Sequence, residues 1–248
     1  MKTVHALAVL VFSGLVNSCM AADLPDGFVR LRAVSASIVQ DMRYAGANNF
    51  TGSRVPGYEA GECILTKPVA EALAQVQRGL EKTGRTLVVF DCYRPKRAVE
   101  SFVAWARRQG KATNPTYHPR VAGSRLVADG YIGARSGHSS GGSVDLTFAT
   151  LDGGGKPVEA DMGGGFDLFD PVSHSASKAV SKTARANRQL LISAMARQGF
   201  SNYRREWWHF RYPAEPFAGK VMNFRLLQRR RRNDSAMTEQ GHFPYCDV

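Results

Sequence analysis

Acidic residues are the scarce class here: 21 Asp and Glu stand against 33 Lys and Arg in 248 residues, for a formal net charge of +12 and a pI near 9.9. Such an imbalance invites a nucleic-acid partner, but the cations do not gather as one would require. They are scattered over expected helix surfaces, as at Lys178, Lys182, Arg185 and Arg188, and the one dense run is 229–232. No nucleic acid is therefore expected as a partner. The excess reads as solvated surface, with weak contact to anionic envelope polymers as the other reading. Cysteine is also sparse, at four residues. Beyond the first residues, no apolar run approaches the roughly 20 residues of a membrane helix, so no transmembrane segment is expected. Neither an internal repeat nor a long low-complexity segment is visible, which sets aside solenoid architectures.

What is present suffices for a full core, since 44% of the residues are hydrophobic. Met1-Lys-Thr-Val-His5, the apolar run 6–16 and the small residues around Ala21 and Ala22 have the three-part layout of a secretory signal peptide. Residues 1–22 are thus expected to be a leader, 23–224 one domain, and 225–248 a basic tail without periodicity. Export, most simply to the periplasm, follows. Val16-Asn-Ser-Cys19 leaves lipoprotein anchoring at Cys19 as an alternative. Cys63, Cys92 and Cys246 would remain after cleavage, an odd count.

Apolar spacing predicts a helix over 66–83, with Thr66 at the N-cap, Pro68 in the first turn and Val69, Leu73, Val76 and Leu80 as the buried stripe. A buried strand over 85–90 follows, then a helix over 95–109 burying Ala98, Phe102, Trp105 and Ala106. Cys63 and Cys92 fall at the same end of this helix–strand hairpin, where a bridge and two buried thiols are both open readings. Strand-like alternation marks 28–34, 37–44 and 143–148; the Gly-rich 151–171 and 45–62 read as loops. A last helix is expected over 177–197 and an aromatic strand over 200–212. Elements alternating this irregularly predict an α+β domain, with a mainly antiparallel sheet covered by helices and a site at the sheet edge of a cleft.

Two short stretches carry chemistry. His138 and Asp145 are separated by a turn containing Gly141 and Gly142, and Glu206 and His209 flank a Trp pair. Two imidazoles, one carboxylate and a spare carboxylate are the inventory of a hydrolytic zinc site, where three protein ligands leave one position for water. Each half has a plainer reading. The first suits ordinary hydrogen bonding in a Gly-Ser turn, and the second suits aromatic core with a surface charge. Glu206 and His209 share a face on a helix but not on a regular strand, so a strand would need a bulge or turn at Trp207 or Trp208. No Gly-x-Ser-x-Gly elbow is read in the chain, so the serines flanking His138 are not expected to act as nucleophiles, and Cys92 beside Arg94 reads as structural rather than nucleophilic.

Taken together, Gly137-His138-Ser-Ser-Gly-Gly-Ser-Val-Asp145, Glu206-Trp-Trp-His209 and Asp91-Cys-Tyr-Arg-Pro95 resemble the zinc-dependent D-alanyl-D-alanine dipeptidases, in the family that also holds the D,D-carboxypeptidases. Asn48-Asn-Phe-Thr-Gly52 and Gly164-Gly-Phe-Asp167 look like the dipeptidase branch, and the resemblance runs from about Val29 to Pro216. It implies one Zn²⁺ per chain held by His138, Asp145 and His209, with Glu206 as catalytic base and Arg94 on the scissile carbonyl oxygen. It further implies that Asp91 braces Arg94, that Asp167 receives the substrate ammonium, and that Ser136 lines the cleft. The expected substrate is the small dipeptide D-Ala-D-Ala. A carboxypeptidase acting on peptidoglycan stem peptides and a non-catalytic zinc-containing envelope-binding protein are the alternatives. The family would be expected to end soon after Phe217, so the continuation to Val248 is a departure.

Overall fold

In the computed structural model, residues 24–227 are described. The expected leader, Cys19, Cys246 and the 229–232 arginine run lie outside these residues.

The chain enters through β1 (Phe28–Arg30), turns in the single-turn α1 (Leu31–Val34) and passes through β2 (Val39–Gln40). The two long strands expected over 28–34 and 37–44 are therefore short pieces interrupted by helical turns. Leu31 and Tyr44 leave the strand pattern to fill the core, with almost no exposure. β3 (Ile64–Thr66), an unexpected strand between the expected 45–62 loop and the helix that follows, pairs antiparallel with β1.

α2 (Lys67–Glu81) and β4 (Arg85–Asp91) form the expected hairpin. Val69, Leu73, Val76 and Leu80 are all buried, each such side chain contributing about 1.5–3 kcal/mol relative to exposure. Thr66 occupies the N-cap position with extended backbone, but its side chain makes no capping bond. At the open end of the hairpin Cys63 and Cys92 are joined in a disulfide with Cα atoms 5.3 Å apart. Closing a loop of this length stabilises by about 3–4 kcal/mol in the chain-entropy account.

α3 (Lys96–Arg108) starts one residue later than expected because Pro95, with extended backbone, is its N-cap. Val99 rather than Trp105 completes its buried face; Trp105 is half-buried, edge-on to the ring of Phe50. The central strand is β5 (Ser143–Leu151), and β6 (Pro157–Glu159) folds back on it within the segment expected to be loop throughout. α4 (Lys182–Ala196) starts five residues inside the expected 177, capped by Ser181, whose side chain accepts from the Ala184 N–H. The aromatic strand over 200–212 is in fact β7 (Ser201–Asn202) and β8 (His209–Arg211), joined by a turn.

The main sheet runs β2-β4-β5-β8-β7, with β6 also on β5. Only β2 on β4 is parallel; every other pairing is antiparallel. This is the expected mixed single domain. The edge that carries the site is the end of three neighbouring strands, not an outer strand. Asp91, Asp145 and His209 stand opposite one another across β4, β5 and β8. Directly opposed side chains share a face. A register shift between Val89 and Asp91 brings Asp91 into this row.

One cation departs from expectation. Arg188, grouped by sequence with surface charges on α4, is 1% exposed. Its Nε and one terminal nitrogen donate to the carbonyls of Met162, Val172 and His174 at 2.8–3.0 Å, replacing part of the water it gave up, while the other terminal nitrogen is buried without a partner among the described residues. At the far end, Leu226 is fully buried and its N–H donates to Gly57 O, so ordered packing continues past residue 224.

Candidate metal centre

The turn between His138 and Asp145 depends on its two glycines. Gly141 has φ +78°, and a Cβ there would collide with the Phe28 ring; one on Gly142 would collide with the Glu215 side chain. A single 3₁₀ turn, Gly137–Ser140, carries His138, and Ser136 Oγ accepts from the His138 N–H at 3.2 Å. The His138 ring then donates from Nδ1 to Cys92 O at 2.7 Å, which turns Nε2 toward the sheet row.

There the donor atoms converge. His138 Nε2 is 3.1 Å from His209 Nδ1 and 3.3 Å from Asp145 Oδ1, and the latter two atoms are 2.9 Å apart. A tetrahedral zinc with bonds of about 2.0–2.2 Å needs donors about 3.3–3.6 Å apart, so a small expansion of this triangle fits the ion, and two imidazoles with one carboxylate are suitable zinc donors. Among the described residues no other group of three His, Cys, Asp or Glu side chains has this disposition. Burial alone would raise the Asp145 carboxyl, but the imidazoles of His138 and His209 outweigh it and hold it below the usual carboxylate range. For His209 burial acts downward and Asp145 prevails, raising it.

The Glu206 carboxylate stands at the rim, with Oε2 3.9 Å from His209 Nδ1. Neither helix nor regular strand brings the pair together. The 203–208 turn does so, with Glu206 N–H donating to Tyr203 O and Trp207 N–H to Ser173 O, and with both Trp rings buried beneath it. Burial pushes the Glu206 carboxyl up to about 7.

Across the row, Arg94 Nε donates to Asp91 Oδ2 at 2.9 Å, and its terminal nitrogen lies 2.8 Å from the same oxygen and 3.4 Å from Asp145 Oδ2. Tyr58 OH donates to Asp91 Oδ1 at 2.6 Å. The guanidinium also lies over the rings of Tyr44 and Phe102. It is thus held on several sides, with 15% of its side chain open to the cavity.

Asp167, which lines the same cavity, has φ +60°, a left-handed backbone uncommon outside glycine. Tyr44 OH donates to its Oδ2 at 2.8 Å, yet burial drives its carboxyl well above the usual range. Arg94, Ser136, His138, Asp145, Asp167, Glu206 and His209 all line one cavity of about 250 Å³. Asp91 lies behind it, fully buried.

Sequence reading passed over Tyr44 and Tyr58, which bind Asp167 and Asp91; both lay in segments read as strand alternation or loop, with no local signal. Contrary to the expected absence of such an elbow, Gly137-His138-Ser139-Ser140-Gly141 has the literal Gly-x-Ser-x-Gly spacing. Its Ser139, however, is buried with Oγ unpaired, in a 3₁₀ turn rather than at a strand–helix junction.

Comparison with known proteins adds the following. A family profile described as D-ala-D-ala dipeptidase, Peptidase M15, matches residues 25–226. A D-alanyl-D-alanine dipeptidase of Enterococcus faecalis is 37% identical over 81% of this chain and 98% of its own. Those of Streptomyces coelicolor and Enterococcus faecium are 40% and 35% identical, covering 74% and 80% of this chain and 90% and 97% of theirs.

Proposed function

Because the chain belongs to the M15 family of D-ala-D-ala dipeptidases, hydrolases of the metallopeptidase type, we propose that it hydrolyses D-Ala-D-Ala to two D-alanines at a single zinc ion held by His138, Asp145 and His209. The convergence of these three donors within 3.3 Å, with Glu206 beside them and Asp167 lining the same cavity, is the observation that carries the reading.

When bound, zinc supplies Lewis acidity and lowers the pKa of a water at the site. The protein's own residues do the rest. Glu206, half-buried at the rim with its carboxyl raised to about 7, accepts a proton from the attacking water and returns it to the departing amine. Arg94 offers its open face to the carbonyl oxygen as negative charge develops there, a contribution commonly worth a few kcal/mol. Because Asp91, Tyr44 and Phe102 already fix the guanidinium, little reorganisation accompanies that step. Asp167 receives the free ammonium of the substrate and so selects dipeptides over longer stems, whose corresponding nitrogen is an amide. Ser136 holds the His138 turn and lines the same cavity. An exported location is supported by the leader-like pattern of residues 1–22 together with the Cys63–Cys92 bridge.

The test is release of D-alanine by zinc-loaded protein from D-Ala-D-Ala and, separately, from a stem pentapeptide. Turnover of the dipeptide alone, lost in Glu206→Ala, is expected. Efficient cleavage of the pentapeptide would replace this reading by a carboxypeptidase, and stoichiometric zinc without cleavage of either would leave a binding protein.

A further inference from the structure

A free dipeptide is a zwitterion, and the site described so far accounts for only its positive end. Two arginines line the catalytic cavity, Arg94 and Arg135. Arg94 is committed to Asp91 and reaches toward Asp145. Arg135, one residue before Ser136, is exposed and forms no ion pair with any carboxylate among the described residues.

Arg135 also belongs to a second hollow of about 380 Å³ that shares Ser136, Gly137 and His209 with the catalytic cavity but not Asp167 or Arg94. Arg211 and Lys220 line it too. The opposing charge there is Glu215, which is buried and accepts the Phe217 N–H on Oε2 at 2.7 Å. Three cations thus face one carboxylate that is already hydrogen-bonded. Ser143 lines the same hollow, fully buried, its Oγ without a hydrogen-bond partner among the described residues. An uncommitted donor and an excess of positive charge at the mouth of an active site are the requirements of a carboxylate subsite.

We propose that Arg135 and the hollow beside it hold the free α-carboxylate of the residue that leaves as an amine, with Arg211 and Lys220 drawing it there. This deepens the dipeptidase reading and rests on it: Asp167 and Arg135 would mark the two charged ends of one dipeptide. A chain continued or amidated beyond the second residue lacks the charge that Arg135 receives.

The discriminating comparison is kinetic, using zinc-loaded protein, D-Ala-D-Ala and its C-terminal amide. Arg135→Ala should raise KM for the acid about tenfold or more with kcat little changed, as expected for loss of a charged hydrogen bond. On the amide the same substitution should change kcat/KM by less than about twofold, and Arg135→Lys should recover part of the loss on the acid. Equal losses on both substrates, or an unchanged KM for the acid, would overturn the subsite. Failure of the unsubstituted protein to cleave D-Ala-D-Ala would count against the proposed function instead. Equilibrium binding of acid and amide to zinc-loaded Glu206→Ala protein then reads the subsite without turnover. Adding Arg135→Ala to that protein should weaken binding of the acid, and an unchanged affinity would sink the subsite.

Discussion

His138 Nδ1 lies 2.7 Å from the carbonyl oxygen of Cys92, and Cys92 is bridged to Cys63. The disulfide therefore braces the backbone oxygen that decides which imidazole nitrogen faces the metal centre. Replacing both cysteines by alanine should cost about 3–4 kcal/mol of stability. It should also weaken zinc binding by up to about tenfold, since such supporting hydrogen bonds commonly matter at that level. Thermal unfolding and chelator competition on the same preparation check the two effects separately.

Glu206→Gln preserves shape and removes the proposed base. Activity should fall by about 10²–10⁴-fold while zinc stoichiometry is unchanged, because Glu206 stands beside the three proposed ligands and outside their cluster. Metal analysis of the purified variant distinguishes this from loss of the ion; a variant that lost its zinc would show that Glu206 is a ligand.

Asp167 predicts a pH dependence of defined sign. Burial holds its carboxyl well above the ordinary value in the free protein, whereas an incoming ammonium favours the ionised form. Binding of the dipeptide should therefore release a proton, and KM should fall as pH rises toward the raised value. The stability effect runs the other way. A folded value above the unfolded one means that Asp167 costs stability once pH exceeds the unfolded carboxyl range. Asp167→Asn, whose residue tolerates the left-handed backbone, should be more stable than the parent at neutral pH yet bind the dipeptide poorly. Calorimetry in buffers of different ionisation enthalpy measures the proton; denaturant titration measures the stability.

Arg188→Met leaves the carbonyls of Met162, Val172 and His174 without their shared donor, on both sides of Asp167 in sequence. Destabilisation of about 2–5 kcal/mol is expected, most of it from the Met162 and Val172 oxygens left unpaired, since His174 O keeps the Ser177 N–H. A shift in the unfolding midpoint checks it, and a shift below about 1 kcal/mol would mean that water replaces the guanidinium there.

The long regular elements were legible because they obey local rules. The stripe of α2, the apolar run of β4 and the Gly-flanked alternation of β5 each carry a period that burial imposes, and the structure places all three close to their expected bounds. The residues that converge on the cavity were nameable because few residue types can hold a metal or move a proton, and the motifs containing them are short and ordered along the chain. What sequence could not supply was contact between distant segments. Tyr44 reaches Asp167 across 123 positions and Tyr58 reaches Asp91 across 33, pairings that leave no period or motif behind. The turn that joins Glu206 to His209 depends on Trp207 and Trp208 being buried beneath it, and the Cys63–Cys92 bridge on two corners meeting at 5.3 Å. Arg188 shows the same limit from the other side. Its spacing matched a solvated helix face, and only the loop packed over α4 turned that charge into a buried one. Local backbone preference and residue chemistry are properties of the chain alone, whereas hydrogen bonding, burial and charge state depend on what the fold brings alongside.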